Sequence, residues 1–256
     1  TRDVAGSLTA GWTQRAKLVA GDGAQDDFFG KSVAIDGDTV VVGAIGDDDK
    51  GSSSGSAYIF TRDVTGSLTA GWTQRAKLVA QDGAAGDNFG YSVAISGDTV
   101  AVGAYRDESN RGSAHVFTRD VAGNLTSGWT QRAKLVAGDG AAGDRFGLSV
   151  AIDGDTVAVG AYKDDSRGSA YVFTRDTAGN LTSGWTQREK LVAQGGALGD
   201  EFGYSVAIDG DTVVVGAFGG DDKGSDSGSA YIFTRDTAGW TQRAKLVAAD
   251  GTAGDY

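Results

Sequence analysis

The sequence predicts an all-β chain of repeated four-stranded antiparallel blades, a β-propeller architecture, and three observations carry that prediction. A marker tryptophan recurs at Trp12, Trp72, Trp129, Trp185 and Trp240, at spacings of 60, 57, 56 and 55 residues. Periods in this range suit propeller blades, whose common repeats run to about 40–50 residues. Each period contains four short strand-like runs, and tight Asp-Gly turns join the first two of them.

The second copy shows the elements in order. Run A is FGYSVAI, from Phe89 to Ile95, and run B is TVAVGA, from Thr99 to Ala104. Ser96-Gly97-Asp98 separates them; the first copy has Asp36-Gly37-Asp38 there. Glycine accepts the positive φ that such hairpin turns need. Run C is SAHVF (Ser113 to Phe117) and run D is WTQRAKLVA (Trp129 to Ala137). Run B, as in Thr39-Val40-Val41-Val42-Gly43-Ala44, shows no polar alternation, the mark of a strand covered on both faces. Run A sets small residues between larger ones, which suits a crowded innermost strand. Run D carries Arg and Lys on one side, which suits an outer, partly wet strand whose charges discourage edge pairing.

Composition bounds the function. The chain has 256 residues, of which 40% are hydrophobic, with 42 Gly, no Pro and no Cys. The absence of Cys excludes disulfide and thiolate chemistry. A net charge of −11 repels nucleic acid and anionic membranes. No apolar run approaches the roughly 20 residues that span a bilayer, so membrane insertion is not expected. No signal peptide is visible, and a chain without Met that starts at Thr1 points to a processed or excised protein.

These repeats resemble the FG-GAP repeat family, the repeat of the integrin α-chain propeller and of many bacterial surface proteins. The first half of the motif stands at Phe29-Gly30, Phe89-Gly90, Phe146-Gly147 and Phe202-Gly203. The second stands at Gly43-Ala44, Gly103-Ala104, Gly160-Ala161 and Gly216-Ala217. Ile45, Tyr105, Tyr162 and Phe218 replace the proline that often ends it. The phrases FGxSVAI, GDTVVVGA and GSAYIF are most similar to the bacterial branch. The resemblance implies an extracellular or cell-surface propeller. Integrin-type repeats carry a calcium loop between A and B, whereas this chain has only a tight turn. Asp36 and Asp38 alone cannot supply the six to eight oxygens that calcium takes, so that site does not carry over.

The repeats are expected at residues 29–80, 89–137, 146–193 and 202–248, with 1–20 an additional, unpaired N-terminal D strand. Three arrangements fit four copies of A, B and C against five of D. The chain is a segment of a larger propeller, a closed four-bladed ring with a spare strand, or a unit whose D strands are shared between chains.

The acidic loops are the leading functional candidates. In a propeller the D–A and B–C connections emerge on one face. Asp82, Asp87, Asp139 and Asp144 lie in D–A loops, and Asp47, Asp48, Asp49, Asp107, Glu108, Asp164, Asp165, Asp221 and Asp222 lie in B–C loops. They are candidate Ca²⁺ ligands or a surface for a cationic partner; equally, they are a solvated loop face, since Asp is favoured in turns. Tyr105, Tyr162 and Phe218 are candidates for stacking on sugars or for packing between blades. The tryptophans are read as core. His115, the only histidine, takes the slot of Tyr58, Tyr171 and Tyr231 and is read as packing. Without His partners or Cys, zinc sites and Ser–His triads are excluded.

Several motif matches belong to loops. Gly51-Ser52-Ser53-Ser54-Gly55 fits G-x-S-x-G without a strand-to-helix elbow. Gly138 to Gly143 fits G-x-G-x-x-G with no helix behind it. Asn124-Leu125-Thr126 and Asn180-Leu181-Thr182 fit the glycosylation pattern, but Ser7 and Ser67 replace the asparagine in other copies. The acids recur in every repeat with no visible break in symmetry, which favours multivalent binding over a single active site. The expected function is a non-enzymatic extracellular binding, adhesion or scaffold module. Its partner would be a protein or glycan at a cell surface. The alternatives are a lectin-like propeller with one weak site per blade, and a self-assembling repeat protein joined through shared edge strands.

Overall fold

A computed structural model describes residues 13–254 of the chain; Trp12 and the rest of 1–12, the first part of the expected N-terminal D strand, lie outside the described residues. Four antiparallel sheets follow one another in sequence, each with its strands in chain order. Blade 1 comprises β1 (Phe29–Asp36), β2 (Thr39–Ala44), β3 (Ser56–Arg62) and β4 (Trp72–Leu78). Blade 2 comprises β5 (Ser92–Ser96), β6 (Thr99–Ala104), β7 (Ser113–Arg119) and β8 (Trp129–Leu135). Blade 3 comprises β9 (Phe146–Asp153), β10 (Thr156–Ala161), β11 (Ser169–Arg175) and β12 (Trp185–Leu191). Blade 4 comprises β13 (Phe202–Asp209), β14 (Thr212–Ala217), β15 (Ser229–Asp236) and β16 (Gly239–Leu246). The four runs A to D are the four strands of each blade. Among the described residues no helix is long and apolar enough to cross a membrane.

The second strands of blades 2 and 3 are covered on both faces, as their unbroken apolar pattern predicts: every residue of β6 and β10 is buried, whereas β14 in blade 4 alternates buried and half-buried residues. One core lies between each pair of successive blades. Between blades 1 and 2, Val41, Ala57, Ile59 and Leu78 meet Phe89, Val93, Val100 and Phe117. The fourth strands slip register against the third at one repeated point, Ile59/Phe60 in blade 1 and Val116/Phe117 in blade 2. Such irregularities increase local twist. The described residues before blade 1, 13–28, form no strand; Leu18 and Ala20 lie against its core, beside Val42, Tyr58 and Phe60.

The two motif halves meet across the blade boundary. A Cβ on Gly43 would lie 2.0 Å from the Gly90 carbonyl oxygen, and one on Gly90 2.3 Å from the Ser56 carbonyl oxygen. Gly103 meets Gly147 at 2.0 Å, and Gly160 meets Gly203 at 1.9 Å. Glycine is required on both sides because the backbones themselves are in contact. The paired phenylalanine anchors the same junction: Phe89 N–H donates to the Ser54 carbonyl at 2.9 Å, and its ring packs edge-on against Phe117.

The Asp-Gly-Asp turns serve the same boundary. Asp36 accepts a hydrogen bond from Gly97 N–H of the next blade at 2.6 Å, and Asp153 accepts one from Gly210 N–H at 2.7 Å. The second aspartate holds a buried arginine from the end of the third strand. Arg119 pairs with Asp98 at 2.6 Å and Arg175 with Asp155 at 2.5 Å. Each arginine stacks on the tryptophan of its own blade, Trp129 at 4.6 Å and Trp185 at 4.7 Å. The four described tryptophans are therefore structural, Trp72 and Trp240 carrying the same arginine contact.

Candidate functional site

The D–A and B–C loops share one face. The D–A loop entering blade 2 hydrogen-bonds the B–C loop of blade 1, with Gly86 N–H donating to the Ser52 carbonyl at 2.8 Å. Within each of blades 1 to 3, the acids of these loops converge on one lysine from the fourth strand. Lys77 Nζ lies 2.8 Å from Asp22, 2.8 Å from Asp47 and 2.7 Å from Asp49. Lys134 lies 2.7 Å from Asp82, 2.7 Å from Asp107 and 3.2 Å from Glu108. Lys190 lies 2.6 Å from Asp139, 2.7 Å from Asp164 and 3.6 Å from Asp165.

A buried tyrosine completes the arrangement. Its hydroxyl sits between the same two aspartates: Tyr58 lies 3.0 Å from Asp22 and 2.9 Å from Asp47. Tyr171 lies 2.9 Å from Asp139 and 3.0 Å from Asp164. Burial and the adjoining carboxylates raise the pKa of both phenols, so they act only as donors. Burial works against the charge on Lys77, but Asp22, Asp47 and Asp49 outweigh it and hold the ammonium above its ordinary range. The Lys77 ammonium in turn holds the Asp22 carboxyl low. At Asp47, hydrogen bonds from Lys77, Tyr58 and Ser56 overcome the upward push of burial.

In blade 2 His115 stands in for the tyrosine. Gln131 accepts from Gln81 N–H through Oε1, so its amide Nε2 donates to His115 Nδ1 at 3.1 Å. The ring proton is then on Nε2, 2.9 Å from Ser113 Oγ. Burial pushes the imidazole down to about 4, so it is neutral near pH 7. Its lysine and acids are arranged as in the neighbouring blades, and the histidine packs where tyrosine otherwise does.

This geometry bears directly on the calcium candidates. The carboxylate oxygens of Asp22, Asp47 and Asp49 lie within 4.8 Å of one another, a spacing able to hold a cation. Lys77 provides that cation from within the fold, so a metal there would have to displace it. The other acids have different duties. Asp87 and Asp144 cap their own loops, accepting from Ala84 N–H at 2.7 Å and Ala141 N–H at 2.6 Å, and burial raises their pKa. Asp48 and Asp221 brace the B–C loops, accepting from Ser53 and Asp226 N–H. Asp222 pairs with Lys245.

Blade 4 breaks the symmetry. Gly195 stands where Asp22 and Asp139 stand, and Gly220 where Asp47 and Asp164 stand. Tyr231 remains fully buried, with the Lys245 ammonium 5.2 Å from its ring centroid, but its hydroxyl and Ser229 Oγ make no hydrogen bond of ordinary length and angle. The expectation of acids repeating without a break is thus corrected at these two glycines.

The aromatic candidates are mostly packed. Tyr105 and Tyr162 are each only 7% exposed, clustered with Leu148 and Tyr91. Tyr91 lies 4.4 Å from Tyr105, and Arg145 approaches both Tyr105 and Tyr162. Phe218 is half-exposed and stacks on Tyr204 at 4.9 Å.

The strand-D lysine is the residue that the sequence reading undervalued, having taken it for a wet outer side chain. The available signal was its recurrence, at a fixed place after each Trp, in every repeat that also carries loop acids.

Comparison with known families accords with this architecture. The FG-GAP repeat profile matches residues 12–60, 72–117, 129–173 and 185–233. The second, third and fourth matches each run from a fourth strand through the next blade's first three; the first begins in the segment before blade 1, and the fourth strand β16 lies beyond the last match. Comparison with curated proteins gives no match. With four matched repeats over most of its length, the chain belongs to the FG-GAP repeat family.

Proposed function

We propose that this chain is a non-enzymatic extracellular binding or surface-scaffold module whose acidic loop face engages a cationic surface on a partner protein. One observation carries the reading. Each cluster in blades 1 to 3 sets three carboxylates against one ammonium, and its D–A aspartate is about half exposed. Side-chain exposure is 51% for Asp22, 51% for Asp82 and 52% for Asp139. The fold thus presents surplus negative charge three times on one face, reduced in blade 2 by Arg111, 3.6 Å from Glu108. Weak identical sites in a rigid row gain avidity when the partner spans them. The resemblance of the repeats to those of surface proteins supports an extracellular setting. The buried, doubly bonded His115 offers no exposed base to a nucleophile. A glycan-binding reading would rest on Tyr204 and Phe218, in one blade alone.

Binding to an immobilised lysine-rich peptide, followed across a salt series, tests the proposal. Asp22→Asn, Asp82→Asn and Asp139→Asn should each weaken binding several-fold, and the triple variant should abolish it. Salt should weaken it steeply, because exposed charges are screened. Binding indifferent to both salt and these substitutions would overturn the reading.

A further inference from the structure

The outer faces of blades 1 and 4 are the two halves of an interface that the molecule forms three times internally. On blade 1, Val33 is 68% and Ile35 65% exposed; their counterparts Val93, Val150 and Ile152 are 9%, 8% and 8% exposed. On blade 4, Leu246 is 49% exposed, against 3% for Leu78 and Leu135 and 2% for Leu191.

The polar keys of the internal interface are split in the same way. Ser32, Ser92 and Ser149 each donate to the FG glycine carbonyl of the next blade, at 2.7, 2.9 and 2.9 Å. Among the described residues Ser205 has no such acceptor, and the Gly30 carbonyl no such donor. Asp36 and Asp153 accept from the turn glycine of the next blade; among the described residues Asp209 has no such donor, and Gly37 N–H no such acceptor. Arg119 reaches Thr39 at 3.0 Å and Arg175 reaches Thr99 at 2.8 Å, each in the preceding blade. Among the described residues Arg62 and Thr212 have no such partner, and the equivalent Arg235–Thr156 contact between blades 4 and 3 is not formed either. Gly216, unlike Gly43, Gly103 and Gly160, has no neighbouring carbonyl against it.

We propose that a second copy of this chain docks its blade 1 onto blade 4 of the first, head to tail, reproducing the blade–blade contact between molecules. Ser205 would then donate to the partner's Gly30, Asp209 would accept from the partner's Gly37, and the partner's Arg62 would reach Thr212. Residues 13–20 and 247–254 occupy the rims of these faces and give way in an exchange of like for like. Leu246 and Ala248 replace Leu18 and Ala20, residues of the same type at the same repeat positions. The net gain is burial of Val33, Ile35 and the central back face of blade 4. The contact is heterologous, because two different patches meet. It is independent of what the acidic face binds.

Two variants and their mixture test it, read as mass by light scattering after gel filtration. Val33→Asp with Ile35→Asp spoils only the blade 1 face, at positions already in solvent. Gly216→Val spoils only the blade 4 face, since its side chain would occupy the place of the incoming carbonyl, while in the free chain it meets only the rotatable Ser205 hydroxyl. The native chain should run at twice its 26.0 kDa mass or more as concentration rises, and each variant alone at 26.0 kDa. An equimolar mixture of the two variants should recover a species of twice the chain mass that grows no further, because each retains one intact half. A native chain that stays at 26.0 kDa at high micromolar concentration overturns the proposal. So does assembly that survives both variants, or a mixture that fails to recover.

Discussion

Blades 3 and 4 place the same tyrosine and the same lysine at the same strand positions and surround them differently. In blade 3, Tyr171 and Lys190 share Asp139 and Asp164. In blade 4 both aspartates are glycine; Lys245 keeps Asp222, and the buried Tyr231 hydroxyl makes no hydrogen bond of ordinary length and angle. The comparison shows what the loop acids do. They are the counter-charges and acceptors of a Tyr–Lys pair, and only their outer edges face solvent. The two glycines arise in separate loops, yet both fall on the same cluster, so the cluster is a single physical unit.

The largest expected effect comes from removing the lysines. Lys190→Met leaves Asp164, only 5% exposed, without its cation, and should cost about 3 kcal/mol, the low end for a broken buried pair because Asp139 is half in water. Lys245→Met should cost under about 1 kcal/mol, as for a surface pair. Urea midpoints of the two variants check this, and equal losses would erase the distinction between the blades.

Blade 2 offers a pH test of similar size. The folded His115 titrates near 4 against about 6.5 when unfolded, so between those values only the unfolded chain takes up the proton. Stability is therefore intact above pH 6.5 and falls as the pH drops, by about 3 kcal/mol at pH 4. His115→Tyr should remove this part of the acid sensitivity. A pH–stability profile unchanged by that substitution would mean that the histidine is not held neutral.

Smaller effects separate the tyrosines. Tyr171→Phe should cost about 1–2 kcal/mol, because a donor to charged acceptors is lost. Tyr231→Phe should be neutral or slightly stabilising, because it removes a hydroxyl without an ordinary hydrogen bond. Gly220→Asp should then gain about 1 kcal/mol by restoring an acceptor, provided that Ser229 Oγ, 2.7 Å from the new Cβ, rotates toward the carboxylate as Ser56 does.

Strand order, turn type and the buried second strand were legible because they depend on local pattern: apolar runs, Asp-Gly turns and a repeating Trp. The meaning of the motif was not, because Gly43 and Gly90 touch across 47 residues and no local pattern announces that contact. The same limit applies to the site. The acids of the loop face were visible one by one, but Lys77 reaches Asp22 from 55 residues away. Tyr105 and Tyr162 stand at loop starts that look exposed in sequence; Tyr91 and Leu148, from other parts of the chain, cover them.

The most direct test of the claim that these carboxylates are committed to an internal ammonium is calcium titration calorimetry on the native chain and on Lys77→Met. The native chain should give no binding heat at millimolar calcium. Lys77→Met should bind, because Asp22, Asp47 and Asp49 are then left without their cation. Binding heat from the native chain that disappears in Asp47→Asn would contradict the account and make this cluster a calcium site.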